Sequence, residues 1–175
     1  LDRVIRREFE LVEGDAFNQL KLYRSVRTVR NLGYFSRVDV QNIQCSSADQ
    51  TITRVTVDEQ STGEFSIGFG YSSLDKTSFT LGINERNFLG TGRRASASIS
   101  TSDTSADFVF GLSQPSLFGR DLTGSIDLFK TKSTANLTAV NRTGVDLGVS
   151  FSAARDIYHR VSYGLATSKI TNTSS

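Results

Sequence analysis

From Gly63 to Ser73, large apolar side chains fall on every second residue. Phe65, Ile67, Phe69 and Tyr71 alternate with Glu64, Ser66, Gly68, Gly70 and Ser72. A period of two predicts a strand with one apolar face and one face of small polar residues. The pattern then recurs six times. Phe79, Leu81 and Ile83 follow a short turn expected at Asp75-Lys76. Ala95, Ala97 and Ile99 follow a bend expected over Asn87–Gly92. Next come Ala106, Phe108, Phe110 and Leu112, and then a break at Gln114-Pro115-Ser116, where a proline fits between strands. Leu122, Ile126 and Leu128 mark the fifth strand. Val145, Leu147, Val149 and Phe151 mark the sixth, and Ile157, Val161, Tyr163 and Leu165 the seventh. Most of these runs are near ten residues with hairpin-scale connections, about the length that crosses a bilayer when tilted.

Before Ser61-Thr62-Gly63 the spacing is helical. Leu1, Ile5 and Phe9 recur at i, i+4 and i+8, predicting a short helix that Gly14 stops. Asp15 is a candidate N-cap for a second helix, lined by Leu22, Val26 and Val29 and closed by Gly33. Lys21, Arg24, Arg27 and Arg30 cover much of the rest of that helix. Two strand-like runs follow. Phe35–Ile43 sets Phe35, Asp39 and Gln41 against Val38 and Val40. Thr51–Val57 puts Ile52 out of phase with Val55 and Val57, which predicts a bulge or a two-sided strand there. About 60 residues of helix, helix, strand, strand is small for a stable domain, and a further N-terminal strand would complete it.

The polar face separates a soluble sandwich from a membrane barrel. A sandwich turns that face to bulk water and decorates it with Lys, Glu and Arg. Here it carries Ser, Thr, Gly and Asp, while charged pairs gather at strand ends: Glu85-Arg86, Arg93-Arg94, Arg155-Asp156. Small polar residues toward a lumen and apolar residues outward are the pattern of a transmembrane barrel. On that reading Phe65, Ile67, Phe69 and Tyr71 face lipid, and Gly68 and Gly70 face the lumen.

Composition alters this little. The chain has 175 residues, 37% of them apolar, and no stretch long and apolar enough for a transmembrane helix. Barrel strands escape that criterion because they alternate. The absence of Met and of a signal peptide fits an expectation that the chain is a piece of a longer, processed product. A net charge of +2, from 20 basic and 18 acidic residues, is too balanced to predict nucleic-acid binding. Lone Cys45 has no partner for a disulfide or a metal site, and is expected to be a passive residue at the Cys45-Ser46-Ser47 turn. The one histidine, His159, sits in Arg155-Asp-Ile-Tyr-His-Arg160 and reads as a polar strand-end residue. No G-x-S-x-G elbow accompanies it, and Asp58-Glu59 lies beside a linker. No catalytic residue, metal or cofactor is therefore expected, and the chain does not read as an enzyme.

Several segments, in order, resemble the BamA family of outer-membrane protein assembly factors. Val4-Ile-Arg-Arg-Glu-Phe9 with Glu13-Gly-Asp15, and Asn31-Leu-Gly-Tyr-Phe-Ser-Arg-Val38, resemble the family's last POTRA domain. Val57-Asp-Glu-Gln-Ser-Thr-Gly63 resembles the link into its barrel. Phe69-Gly-Tyr71, Glu85-Arg-Asn-Phe-Leu-Gly-Thr-Gly92 and Pro115-Ser-Leu-Phe-Gly119 resemble its first strand and later turns. The resemblance implies an α+β POTRA domain over residues 1–60, lacking most of its first strand. It implies the N-terminal part of an antiparallel transmembrane β-barrel over residues 61–175. Seven strands of a family barrel of about sixteen, without the family's lid loop and closing strand, would make an incomplete barrel.

From the residues alone, Gly68 and Gly70 either relieve crowding in the lumen or leave their strand weakly paired. Likewise Lys21, Arg24, Arg27 and Arg30 are either a solvated face or a dock for an acidic partner. The resemblance implies specific roles. Phe65, Ser66, Ile67, Gly68, Phe69, Gly70, Tyr71 and Ser72 would form a gate strand whose edge templates the strands of unfolded outer-membrane protein clients. The basic helix face would meet periplasmic lipoprotein subunits of an assembly complex. The barrel would sit in the lipid bilayer of a bacterial outer membrane, with the N-terminal part in the periplasm. A POTRA-bearing two-partner secretion transporter shares this architecture, and a soluble adhesin-like β domain is the remaining alternative.

Overall fold

The computed structural model describes residues 2–44, 51–73, 76–135, 138–154 and 156–172. The chain separates into two compact units, Leu1–Thr62 and Gly63–Ser175.

The first unit runs α1 (Asp2–Arg6), α2 (Gln19–Asn31), β1 (Phe35–Gln44), β2 (Thr51–Glu59), the expected helix, helix, strand, strand order. Its core is small: Val4, Leu22, Val26, Val29, Tyr34, Phe35 and Val38, with Val40, Val55 and Val57 packed against them. Two local expectations need correction. α1 ends at Arg6 rather than running past Phe9 toward Gly14. Its last turn tightens into i→i−3 bonds, Glu8 N to Ile5 O (3.0 Å) and Phe9 N to Arg6 O (3.2 Å). The Glu10 amide then leaves the helical path and donates to Ser25 Oγ at 2.8 Å. The N-cap of α2 is Asn18, not Asp15. Asn18 Oδ1 accepts from Leu20 N (3.0 Å) and Lys21 N (3.1 Å), whereas Asp15 Oδ2 accepts from Val12 N within the preceding turn. The bulge sits in β1, where none was expected. The register shifts between Phe35 and Arg37, so Phe35 and Val38, three apart, both reach the core. β2 is a two-sided strand: Ile52 pairs with Ile43 on the exposed face. At the far end of α2, Gly33 takes φ +68° and closes the helix as expected.

The second unit is one antiparallel sheet in sequence order: β3 (Gly63–Ser72), β4 (Lys76–Phe88), β5 (Arg93–Ser102), β6 (Ser105–Gln114), β7 (Leu122–Ala135), β8 (Thr138–Ala154), β9 (Ile157–Asn172). A short 3₁₀ turn at Leu117–Gly119 fills the break after Pro115. The seven strands were legible in the alternation, but their lengths differ from it. β4 continues through Glu85 and Arg86 to Phe88, and β7, β8 and β9 reach 14, 17 and 16 residues. The extensions (Lys130–Ala135, Thr138–Gly144 and Thr167–Asn172) are mostly polar, with Val140 and Ile170 their large apolar residues, so no hydrophobic period marks them. Asp75, Arg155 and Cys45-Ser46-Ser47 lie outside the described residues.

This sheet has no core of its own. Ala95 is its one buried hydrophobic among the described residues, while Phe65, Ile67, Phe69, Tyr71, Ile99, Ile126, Leu128, Leu147, Val161 and Leu165 are all exposed. No helix among the described residues is long and apolar enough to cross a membrane, which says nothing about crossing by strands. An open, one-sidedly apolar sheet of this kind is a segment of an incomplete barrel.

Candidate functional site

β3 pairs on one side only. Its register against β4 is unbroken, from Gly63↔Glu85 to Ser72↔Lys76, and its other edge has no strand among the described residues. The alternation along the strand places Phe65, Ile67, Phe69 and Tyr71 together on the exposed apolar face, Phe69 and Tyr71 at 79% and 77% exposure. Phe69 meets Phe79 across the pair with ring centroids 5.0 Å apart, an arrangement that contributes about 0.5–1.5 kcal/mol beyond area burial. Ser66, Gly68, Gly70 and Ser72 share the opposite face with Ser78, Thr80 and Gly82. At the strand's start, Glu64 reaches Arg86 on β4 at 3.7 Å.

A Cβ on Gly68 would lie 3.6 Å from Thr80 Cβ, an ordinary contact. A Cβ on Gly70 would meet Ser78 Oγ at 2.7 Å, a hydroxyl that rotates away. Neither glycine has a positive φ. Among the described residues, crowding does not demand glycine at 68. What the pair of glycines does is remove side-chain contact from the strand's polar face and loosen the backbone.

The turn below β4 is self-supporting. Asn87 Oδ1 accepts from Gly92 N (2.8 Å), Asn87 N donates to Glu85 Oε1 (2.8 Å), and Thr91 Oγ1 donates to Phe88 O (2.6 Å). Sequence reasoning saw a bend here and missed that Asn87 is buried and organises it. On the polar face, β7 to β9 carry a second group of contacts. Arg160 reaches Asp127 at 3.7 Å and Ser125 Oγ at 3.4 Å. Phe129 lies over Gly144, and Arg142 sits 5.3 Å above the Phe129 ring. His159 is near the start of β9, as expected, and stacks on Phe151 on the apolar face (centroids 5.5 Å).

In the first unit, Lys21, Arg24, Arg27 and Arg30 are all exposed. They are not equivalent. At about 100° per residue, Arg24 and Arg27 lie opposite the buried Leu22–Ser25–Val26–Val29 stripe, and Lys21 and Arg30 flank it. Arg30 Nη2 donates to Val38 O at 3.0 Å and ties α2 to β1. Leu20 and Tyr23, which the charge pattern overshadowed, stand exposed beside Arg24 and Arg27 at 70% and 66%.

Comparison with known proteins follows the same division. A profile of the Omp85 superfamily domain matches residues 87–175, and a POTRA profile, described as a surface antigen variable number repeat, matches residues 1–60. The outer membrane protein assembly factor BamA of Nitratidesulfovibrio vulgaris is 32% identical over 73% of this chain and 16% of its own length. That of Neisseria meningitidis is 24% identical over 97% of this chain and 22% of its own. The chain thus spans roughly a fifth of these relatives. Among solved structures, BamA from Haemophilus ducreyi lacking POTRA domains 1–3 shares the fold, with a TM-score of 0.88 at 20% identity. That match covers 98% of this chain and 34% of the other. CdiB from Acinetobacter baumannii is more distant, with a TM-score of 0.59 at 15% identity over 95% of this chain and 35% of its own.

Proposed function

Because the chain belongs to the Omp85 superfamily, its matched segment running from 87 to 175, we propose that it is the periplasm–barrel junction of an assembly factor that folds and inserts outer-membrane β-barrel proteins. Its relatives at 24–32% identity are assembly factors of that kind. In this reading the sheet lies in the outer membrane with its apolar face to lipid, the first unit is periplasmic, and no covalent chemistry is required.

The observation that carries the mechanism is the glycine pair Gly68 and Gly70 on β3, an end strand of the sheet, the other end strand being β9. An unpaired strand edge is a template for another strand, and in hydrocarbon each unpaired backbone group costs several kcal/mol. A client strand adding to Phe65–Ser72 gains those hydrogen bonds by β-augmentation. Gly68 and Gly70 keep the template's own grip weak, so that an added strand can leave again. The exposed Leu20, Tyr23, Arg24 and Arg27 face is the best placed to dock a periplasmic lipoprotein subunit. Arg30 contributes less there, since it is engaged with Val38.

The test is a disulfide trap in the full-length protein. Cys45 is replaced by Ser, a cysteine is placed at Ser66 or Ser72, and a stalled client carries a cysteine scanned along its terminal strand. A crosslink strong at one client register and weak at its neighbours is expected. No crosslink at any register, with assembly still active, would make β3 an ordinary barrel strand. Export of one dedicated substrate, the transporter reading, would instead give crosslinks from inward-facing positions such as Asp127 and to that substrate alone. For the docking face, Arg24→Glu with Arg27→Glu is expected to abolish lipoprotein pull-down, and unchanged binding would dismiss it.

A further inference from the structure

On the outward face of β7, β8 and β9 the apolar residues stop along one line. The row Leu128–Val145–Leu165 is the last apolar one. The next outward row is Lys130–Thr143–Thr167, and the next Lys132–Asn141–Lys169. Three lysines therefore stand on the lipid-side face immediately beyond the apolar band. All three are exposed, and none is ion-paired among the described residues. They are at the end of the sheet remote from Gly63, since β7 runs in the same direction as β3 and both lysines of β7 lie in its second half. The row between them faces the other way and holds Thr131, Arg142 and Ser168.

We propose that Lys130, Lys132 and Lys169 form a binding site for phosphate groups of membrane-lipid headgroups, in the leaflet at the end of the sheet remote from Gly63. The inference rests on the barrel reading above and adds to it a ligand. Lys130 and Lys132 are two residues apart on one strand, about 7 Å, and Lys132 and Lys169 are two strands apart, about 10 Å. That spacing lets neighbouring headgroups bridge the lysines. The chemistry favours a lipid over a soluble anion because the site begins where the apolar face ends. A lysine stem lies along apolar surface while its ammonium reaches the headgroup layer, and Thr143, Thr167 and Asn141 add hydroxyl and amide donors between the charges. A cation so placed prefers an anionic surface about fivefold over a neutral one.

The experiment places the full-length protein in phosphatidylcholine nanodiscs doped with spin-labelled phosphatidic acid or spin-labelled phosphatidylcholine, and measures which label is enriched in the motionally restricted shell. Enrichment of phosphatidic acid is expected, falling about fivefold for each lysine lost in Lys130→Asn, Lys132→Asn and Lys169→Asn, and falling with added salt. Arg142→Asn, at the same height on the opposite face, is expected to leave it unchanged. Undiminished enrichment in the triple variant would overturn the site. So would loss of binding to immobilised polyglutamate without loss of lipid enrichment, which would hand the lysines to an acidic soluble partner. If neither label shows a restricted shell around the wild-type protein, the barrel reading itself fails.

Discussion

A depth-dependent cost on one strand gives the sharpest test of which face meets lipid. On β8 the outward residues are Phe151, Val149, Leu147 and Val145, then Thr143 and Asn141. Leu147 lies in the interior of that apolar run, in the row Ile126–Leu147–Tyr163. Asn141 is six residues further along. At about 3.3 Å per residue and a tilt near 40°, that is about 15 Å of height, which carries Asn141 beyond the edge of an apolar band about 25 Å tall. Leu147→Arg is then expected to cost about 2–4 kcal/mol, and Asn141→Arg about 0–1 kcal/mol. The first figure is roughly a 30- to 900-fold loss in the folded-to-unfolded ratio. Denaturant unfolding from phospholipid vesicles, followed by the shift of the folded band on unheated gels, measures both. In a soluble sheet whose exposed face meets water, both substitutions would stay within about 0.5 kcal/mol. Equal costs at the two positions would refute the lipid-facing assignment.

Three further outcomes are expected. Gly68→Thr fits beside Thr80 (the added Cβ at 3.6 Å), so it should raise the stability of the β3–β4 pair by up to about 1 kcal/mol. It should slow client assembly at the same time, and faster or unchanged assembly would argue against a weak-seam role. Gly144→Ala places a Cβ 2.5 Å from both Leu165 O and Phe129 Cζ; it should lower thermal stability on gel-shift assay, and Phe129→Ala should restore part of it. Asn18→Ala removes the acceptor of the Leu20 and Lys21 amides, costing about 0.5–2 kcal/mol. Hydrogen exchange of the first turn of α2 should report this, with Asp15→Ala leaving that turn unaffected.

What the sequence shows and hides follows from which physical force leaves a periodic trace. The seven strands were readable because the apolar residues of one face alternate, and the Leu22–Val26–Val29 stripe was readable because burial repeats with the helix. The polar upper halves of β7–β9 left no trace. Their pairing is carried by backbone hydrogen bonds, and residues such as Thr131, Asn141 and Ser168 suit either a strand or a loop. The cap was misassigned because Asp15 and Asn18 are both good caps by type, and only the path of the turn at Gly14 (φ +95°) decides between them. Of the two readings open for β2, the two-sided strand is the one seen, and the bulge in β1 went unread. Ile52 looked out of phase, yet its partner Ile43 shares its exposure, while the true break at Phe35–Arg37 serves a buried aromatic. The lysine rows could not be found without register, since Lys130, Lys132 and Lys169 become neighbours only through Asn141 and Thr143 of the strand between them.

On the template proposal, the energetics of the β3 edge account for a strand that is both always covered and readily exchanged. β3 has ten residues, and alternate residues present their N–H and C=O to the free side, about ten backbone groups in all. At several kcal/mol for each group left unpaired in hydrocarbon, leaving the edge bare costs tens of kcal/mol. No membrane-embedded state leaves it uncovered. That penalty is nearly the same whichever strand covers the edge, because main-chain hydrogen bonds do not depend on side-chain identity. The difference between two occupants is therefore set by the small remaining contributions: cross-strand side-chain pairs of about 0.2–1 kcal/mol each. Gly68 and Gly70 delete two such contributions on one face of β3. A large common penalty with a small difference between occupants is the condition for exchange by strand displacement, in which an incoming strand pairs group by group as the resident one leaves. β9, the other end strand, has 16 residues and so more main-chain pairing to give up in an exchange. On the template proposal, the ten-residue length of β3 and its paired glycines favour exchange there over exchange at β9, the sixteen-residue strand at the other end of the sheet.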